Sequence, residues 1–238
     1  MTKKYIYANL TIKNSSFFKR LSHKKRFQKA LDLVKLSDTF SLLDFGTGDG
    51  YFLTLLKQKT NASIVGYEPI ADMFEQLENT ISNNNNNIGL IDDLKKTVEK
   101  FDIVYCLEVL EHFSSENQSR LLNQIKDKLK EQGKIIISVP VEVGFGSFIK
   151  NILRISIKQV ERDTNTRNIF KALFYKPVKR AEEKGYIFSH IGFNYKKLEK
   201  VFVKENLQIL KKEYSPFNFL RSLNSQIFYV LEYKTKDC

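Results

Sequence analysis

The run Leu42-Leu43-Asp44-Phe45-Gly46-Thr47-Gly48-Asp49-Gly50 passes from a short apolar segment into glycine at every second position. Ser41 to Phe45 is compact and apolar, which predicts a buried strand. Tyr51 to Lys59 has helical period and predicts a helix. The glycines therefore stand where strand becomes helix. There the chain must turn sharply and can let a ligand approach its backbone, which glycine permits. Unbonded N–H groups at the start of a helix suit polar or anionic ligand groups. Asp44, at the end of the strand, is placed to hydrogen-bond an ammonium or order a water.

Strand and helix go on alternating after this turn. Ser63 to Tyr67, Ile88 to Ile91, Phe101 to Cys106 and Gly133 to Val139 read as strands, with helical stretches from Met73 to Ile81 and from Asn117 to Leu129. This order implies right-handed crossovers and a mainly parallel sheet. Leu207 to Tyr214 and Gln226 to Tyr233 also read as strands, but the ten or so residues between them hold no helix, so they should pair as an antiparallel hairpin. The expectation is a doubly wound α/β fold with a seven-stranded, mostly parallel sheet and a C-terminal antiparallel hairpin. Residues 1–238 read as a single domain, with an N-terminal helical cap over 1–38 and a helical insert over 141–191.

Composition is that of a soluble globular protein: 238 residues, 42% hydrophobic and 28% charged. No apolar run approaches the ~18 residues of a membrane span. The start, Met1-Thr-Lys-Lys-Tyr-Ile, lacks the apolar core of a signal peptide, and Cys106 and Cys238 make no disulfide scaffold. A cytoplasmic location is expected. The net charge of +12 is compatible with anionic small molecules, nucleic acid or an anionic membrane surface. The run Ser82 to Asn87 reads as a polar surface loop.

The dinucleotide fingerprint G-x-G-x-x-G needs a third glycine where Tyr51 stands, so that cofactor class does not fit. The run D-x-G-x-G-x-G over Asp44 to Gly50 instead resembles the first motif of class I S-adenosylmethionine-dependent methyltransferases, whose sheet is Rossmann-like. Glu68, ending the second strand, is where an acid can chelate ribose hydroxyls. The resemblance implies cofactor contacts from Asp44, Gly46, Thr47, Gly48, Gly50, Tyr51 and Glu68. It also implies that one of Asp92 and Asp93 meets the adenine amine and that Met73 packs on the adenine face. Cys106 and Leu107 would flank the methionine end through backbone groups. Phe101 to Phe113, FDIVYCLEVLEHF, resembles the fourth-strand region of the branch that includes quinone-pathway and surface-glycan methyltransferases. Amino-group methyltransferases acting on DNA or glutamine carry an Asn/Asp-Pro-Pro-Tyr motif after this strand. Cys106-Leu107-Glu108-Val109 stands here, which argues against base or amide N-methylation.

Glu108 and Glu111 are spaced i,i+3, and Glu108 and His112 are spaced i,i+4, so all three would share one face if this segment were helical. Two carboxylates and an imidazole suit Mg²⁺, Mn²⁺ or Zn²⁺. Some relatives, including small-RNA 2′-O-methyltransferases, use an E-x-x-E-H arrangement in this way, and His190 is a candidate fourth ligand. Such an ion would lower the pKa of a substrate oxygen and orient it. Without metal, His112 and His190 are the candidate catalytic bases for a hydroxyl. His23, in a basic stretch, reads as a surface residue.

About fifty residues separate the fifth strand from the next helix, a length that marks a lid or substrate-binding element. Within it Phe145, Phe148, Ile149, Ile152, Leu153, Ile157 and Val160 follow helical spacing as an apolar stripe, with Lys150, Arg154 and Lys158 on another side. From Val141 to Arg180 nine Lys/Arg stand against three acids, half of the chain's positive excess. The stripe can pack on the domain, rest on an anionic membrane surface, or leave its basic face to a phosphate, sugar-nucleotide or RNA backbone. No RRM, KH or OB signature supports RNA, so nucleic acid is not the expected partner. Ser138 to Gly144 and His190 to Tyr195 loosely resemble methyltransferases of bacterial surface-polysaccharide gene sets. The resemblance implies O-methylation of a small acceptor: a sugar, nucleotide-linked or phosphorylated precursor. The rival expectations are an RNA 2′-O-methyltransferase, a lipid or quinone methyltransferase touching the inner membrane surface, and a non-catalytic cofactor-binding protein.

Overall fold

The computed structural model describes residues 17–82, 88–156, 160–216 and 224–234. Contacts divide the chain into two compact units, Met1–Tyr105 and Cys106–Cys238, and the boundary falls inside a strand.

In the first unit a helix, α1 (Phe17–Asp32), precedes β1 (Ser41–Phe45), α2 (Tyr51–Lys59), β2 (Ser63–Tyr67), α3 (Ala71–Ser82), β3 (Ile88–Ile91), a short 3-10 turn (Leu94–Lys96) and β4 (Phe101–Leu107), which carries the chain into the second unit. β1 pairs in parallel with β2 on one side and with β4 on the other, and β2 pairs in parallel with β3. Every residue of β1 is buried, an unalternating pattern that fits a strand covered on both faces. The chain steps outward from β1 to β3 and then returns to place β4 beside β1. That reversal is the switch point at whose strand ends doubly wound folds bind ligands.

The second unit adds a 3-10 turn (Leu110–His112), α4 (Ser115–Asp127), β5 (Leu129–Pro140), α5 (Phe145–Ser156), α6 (Thr166–Leu173), a small hairpin of β6 (Glu182–Glu183) and β7 (Tyr186–Ile187), α7 (Tyr195–Lys204), β8 (Leu207–Ser215) and β9 (Gln226–Tyr233). β9 lies between β5 and β8 and is antiparallel to both. The sheet order is β3-β2-β1-β4-β5-β9-β8, so the expected seven strands and closing hairpin are present.

Three local readings change. β5 begins at Leu129 rather than Gly133, because its exposed Lys130, Glu131 and Gln132 carry no apolar signal. α4 begins at Ser115, where Ser114 accepts a hydrogen bond from the N–H of Asn117 and caps the helix. The insert holds two helices and a hairpin rather than one helix. The hairpin turns on Lys184 and Gly185, both with positive φ, the geometry of a two-residue type I′ turn. Residues 1–16 of the expected cap, the asparagine run and Ile157–Lys158 lie outside the described residues, and nothing is described of the His23 side chain.

The insert's first helix is turned the opposite way from ordinary packing. Ser147 and Asn151 are its buried residues, while Phe145, Ile149, Ile152 and Leu153 face solvent. Lys150 and Arg154 reach inward to Glu142 instead of presenting charge outward.

Candidate functional site

Two groups of residues carry chemistry, one in each unit. The first is the loop after β1. Gly46, Gly48 and Gly50 all have positive φ, a backbone that only glycine adopts without strain. Two of them also meet neighbours closely. A side chain at Gly50 would bring its Cβ within 2.5 Å of Leu77 Cδ1 on α3, so this glycine serves helix packing. A Cβ at Gly48 would lie 3.7 Å from Met73 Cε, which places the partly buried Met73 against the loop.

Glu68, just past β2, is buried under this loop. Its Oε2 accepts the N–H of Gly48 and its Oε1 accepts the N–H of Ile70, each at 3.0 Å. Burial raises its pKa against these two bonds. Each carboxylate oxygen keeps a further lone pair after one such bond. Asp44, also buried, accepts the Thr47 hydroxyl at 2.5 Å. Burial pushes its pKa up to about 7, against the Thr47 bond, and the nearby charges of Glu68 and Asp49 push the same way. Tyr51 opens α2 with its N–H on Asp49 Oδ1 at 3.1 Å. The two acids after β3 divide their tasks. Asp93 caps the 3-10 turn by accepting the N–H of Lys95, while Asp92 pairs with Lys96 at 2.5 Å. Cys106 and Leu107 end β4 and are buried.

The second group follows β4. Glu108 has φ +58, and its carboxylate accepts the Ser138 hydroxyl at 2.8 Å. The segment after it is one 3-10 turn, not an α-helix. The expected shared face of Glu108, Glu111 and His112 therefore does not form, since 3-10 spacing is three residues per turn and the backbone reverses hand at Glu108. Glu108 stays on Ser138, while Glu111, His112 and His190 come together with ligand-type atoms within 4.8 Å of one another.

His112 is buried, and its Nδ1 lies 2.8 Å from the carbonyl oxygen of Ile187 on β7. A carbonyl only accepts, so Nδ1 carries the proton and Nε2 keeps its lone pair. Burial, with the neighbouring charge of His190, holds the pKa of His112 down to about 4. Tyr186 stacks on its ring at 4.6 Å, and His190 meets it edge-on at 4.9 Å. His190 is the more accessible of the two, with 28% of its side chain exposed. Both its backbone N–H and its Nδ1 face Glu161, at 2.8 and 3.3 Å. Burial alone would raise the Glu161 pKa, but the bond and charge of His190, with Arg154 at 3.1 Å, bring it down to about 2. Arg180 donates to the carbonyl oxygens of Glu111 and Ser189, and its charge lies close to Glu111. Asp163 holds the Ser189 hydroxyl and the N–H of Ala181. Beside these residues a small cleft is lined by Ser114, Tyr175, Lys176, Arg180, Asn194 and Lys197.

Residues 11–172, about two thirds of the chain, match the family described as a methyltransferase domain. The chain belongs to that family. The fold is that of class I S-adenosylmethionine-dependent methyltransferases, and solved structures bear it out. The methyltransferase aligns with the PH0226 protein of Pyrococcus horikoshii over 98% of this chain and all of that one, with TM-score 0.67 and 17% identity. It aligns with an S-adenosylmethionine-dependent methyltransferase from Clostridium acetobutylicum over 97% of each chain, with TM-score 0.62 and 15% identity. The magnesium protoporphyrin IX methyltransferase of Synechocystis, solved with SAH bound, aligns over 92% of this chain and 88% of that one, with TM-score 0.59 and 15% identity. Among curated proteins it is 26% identical to the phosphoethanolamine N-methyltransferase of Plasmodium falciparum over 114 residues, 47% of this chain. The match spans 43% of that protein's length.

Glu161, Asp163, Arg180, Ser138 and Tyr186 were not singled out from the sequence. A signal for two of them was present: Glu161 and Asp163 are the only acids between Val143 and Arg180, in an otherwise basic segment.

Proposed function

We propose that this methyltransferase transfers a methyl group from S-adenosylmethionine to a hydroxyl of a small anionic acceptor. The observation that carries the cofactor half is the left-handed glycine loop with Glu68 pinned beneath Gly48 and Asp44 buried beside it. When bound, S-adenosylmethionine supplies an electrophilic methyl on a cationic sulfur. Asp44 would answer its ammonium, the remaining lone pairs of Glu68 its ribose hydroxyls, and Asp92 its adenine amine. Met73 would lie on the adenine face. Asp93 accepts the N–H of Lys95 in its helix cap and Asp92 pairs with Lys96; the proposal gives the adenine contact to Asp92, whose partner is an exposed side chain.

For the acceptor half, His190 is the proposed base. Glu161 holds its Nδ1 proton, which leaves Nε2 to accept the hydroxyl proton as the oxygen attacks. His112 is the positioning residue: it is buried, fixed by Ile187 and Tyr186, and packs edge-on to His190. Lys176, Arg180 and Lys197 supply positive charge in the adjacent cleft. The relative named a phosphoethanolamine N-methyltransferase supports an acceptor bearing phosphate.

The test has two parts. Calorimetric titration of S-adenosylmethionine should give micromolar binding to wild type and at least tenfold weaker binding to Asp44→Ala. Methyl transfer to a panel of sugar phosphates and nucleotide sugars should then lose at least 100-fold in kcat in His190→Gln, a usual size for a lost general base. Glu161→Gln should lower kcat while leaving KM nearly unchanged. A wild type that binds no S-adenosylmethionine would remove the proposal.

The closeness of Glu111, His112 and His190 favours one second reading, a divalent ion on these three donors. Two imidazoles and a carboxylate suit Zn²⁺ or Mn²⁺. The fixed charge of Arg180 beside Glu111 opposes it. Activity that survives dialysis against EDTA supports the base reading, and activity lost to EDTA and restored by Mn²⁺ or Zn²⁺ assigns the ion.

A further inference from the structure

An amphipathic helix normally turns its apolar stripe to the core. In α5 the burial runs the other way. Ser147 and Asn151 are fully buried, and Asn151 Nδ2 donates to the Ser147 carbonyl at 2.8 Å, while Leu153 is 58% and Phe145 54% exposed. Phe145, Ile149, Ile152 and Leu153 are spaced i, i+4, i+7 and i+8, so they share one outward face. The apolar surface continues onto α6. Phe145 lies 6.4 Å from Phe148, which lies 5.9 Å from Phe170, itself 55% exposed. Phe174, which caps the C-terminus of α6, is 65% exposed.

The described residues of α5 and α6 carry no acid. Arg167, three residues before Phe170 on α6, is exposed, as is Lys179 after the helix, while the only acids between Val143 and Arg180 are engaged inside the unit. Glu161 is bound to Arg154 and His190, and Asp163 to Ser189 and Ala181. Upstream, Glu142 is 1% exposed beneath Lys150 and Arg154. The outer surface of α5 and α6 therefore offers aliphatic and aromatic side chains rimmed by cations.

We propose that this face of α5 and α6 docks on an anionic lipid bilayer, which makes the methyltransferase a peripheral membrane protein. Ile149, Ile152, Leu153 and the phenylalanines enter the boundary between headgroup and acyl chain, while Arg167 and Lys179 meet the phosphates. The charge pattern selects this partner. A second copy would bring like charges together. RNA offers stacking and phosphates but nothing for exposed Ile and Leu to bury against.

The experiment is co-sedimentation of the full chain with vesicles of phosphatidylcholine alone and of phosphatidylcholine mixed with phosphatidylglycerol, at low and high salt. Wild type should pellet with the anionic vesicles, stay in solution with the neutral ones, and be released by salt. Leu153→Glu/Phe170→Glu should weaken binding at least tenfold at every salt concentration. Arg167→Glu/Lys179→Glu should weaken it mainly at low salt. All four residues are exposed, and unchanged circular dichroism and S-adenosylmethionine binding would show that the variants are folded. Vesicle binding equal in wild type and Leu153→Glu/Phe170→Glu would overturn the proposal, as would no binding of wild type to anionic vesicles. Sedimentation velocity supplies a further outcome: a dimer abolished by Leu153→Glu would assign the face to a second copy and also overturn it.

Discussion

Asp44 is a buried carboxylate whose charged neighbours, Glu68 and Asp49, are both acids. Its folded pKa of about 7 lies above the ordinary 3.8, so between these values the folded state holds a proton that the unfolded chain has released. Stability therefore falls as pH rises from about 4 to about 7 and stays low above that. Asp44→Asn removes the loss, which at 1.36 kcal/mol per unit is at most about 4 kcal/mol. At pH 8 the variant should melt several degrees above wild type, and at pH 4 the two should coincide. Its affinity for S-adenosylmethionine should still fall, because the ammonium loses its counter-charge. His112 works in the opposite sense. Its folded pKa of about 4 lies below 6.5, so the unfolded chain takes the proton first and stability drops as pH falls from 6.5 towards 4. His112→Gln should flatten that part of a curve of melting temperature against pH. The place of Asp44 at the strand end, beside the glycine loop, was legible in the sequence. Its unstable charge was not, because burial and acid neighbours arise only on folding.

Loops and short elements show where glycine is required by space and where only by dihedral angle. At Gly50 a side chain would strike Leu77 as well as adopt φ +76. Gly50→Ala should cost about 2–4 kcal/mol from strain and overpacking together. At Gly185 the φ is +82, but the nearest atom to an added Cβ is Asn117 Nδ2 at 3.8 Å, so Gly185→Ala should cost only about 1–2 kcal/mol. Urea titration of both variants checks the difference. The glycine motif was readable because a strand and a helix flank it. The Lys184-Gly185 hairpin was not, since strands of two residues carry no period. The face that Glu108, Glu111 and His112 would share on a helix does not form, because i,i+4 spacing describes a face only where the backbone stays α-helical, and Glu108 leaves that region.

For the whole methyltransferase, ligand binding and stability are linked. S-adenosylmethionine at 100 times its Kd should add about 2.7 kcal/mol. For a chain of this size that raises the melting temperature by about 5–10 °C. Thermal scans with and without cofactor check this, and Asp44→Asn should show little shift. The succession of strands and helices along the chain, the mostly parallel sheet, the closing hairpin and the loop that carries Asp44 were legible in the sequence alone, because apolar runs, glycine spacing and the alternation of periods are local properties of a chain. Which residues meet around His112 was decided by tertiary structure. Ile187, Arg180 and His190 come to that imidazole, and Glu161 to His190, from dozens of residues away, on an insert whose path no local pattern prescribes. The outward turn of α5 was likewise decided there. Periodicity shows that a helix has an apolar face, but the side it buries depends on what the remainder of the fold presents, and here that surface takes Ser147 and Asn151.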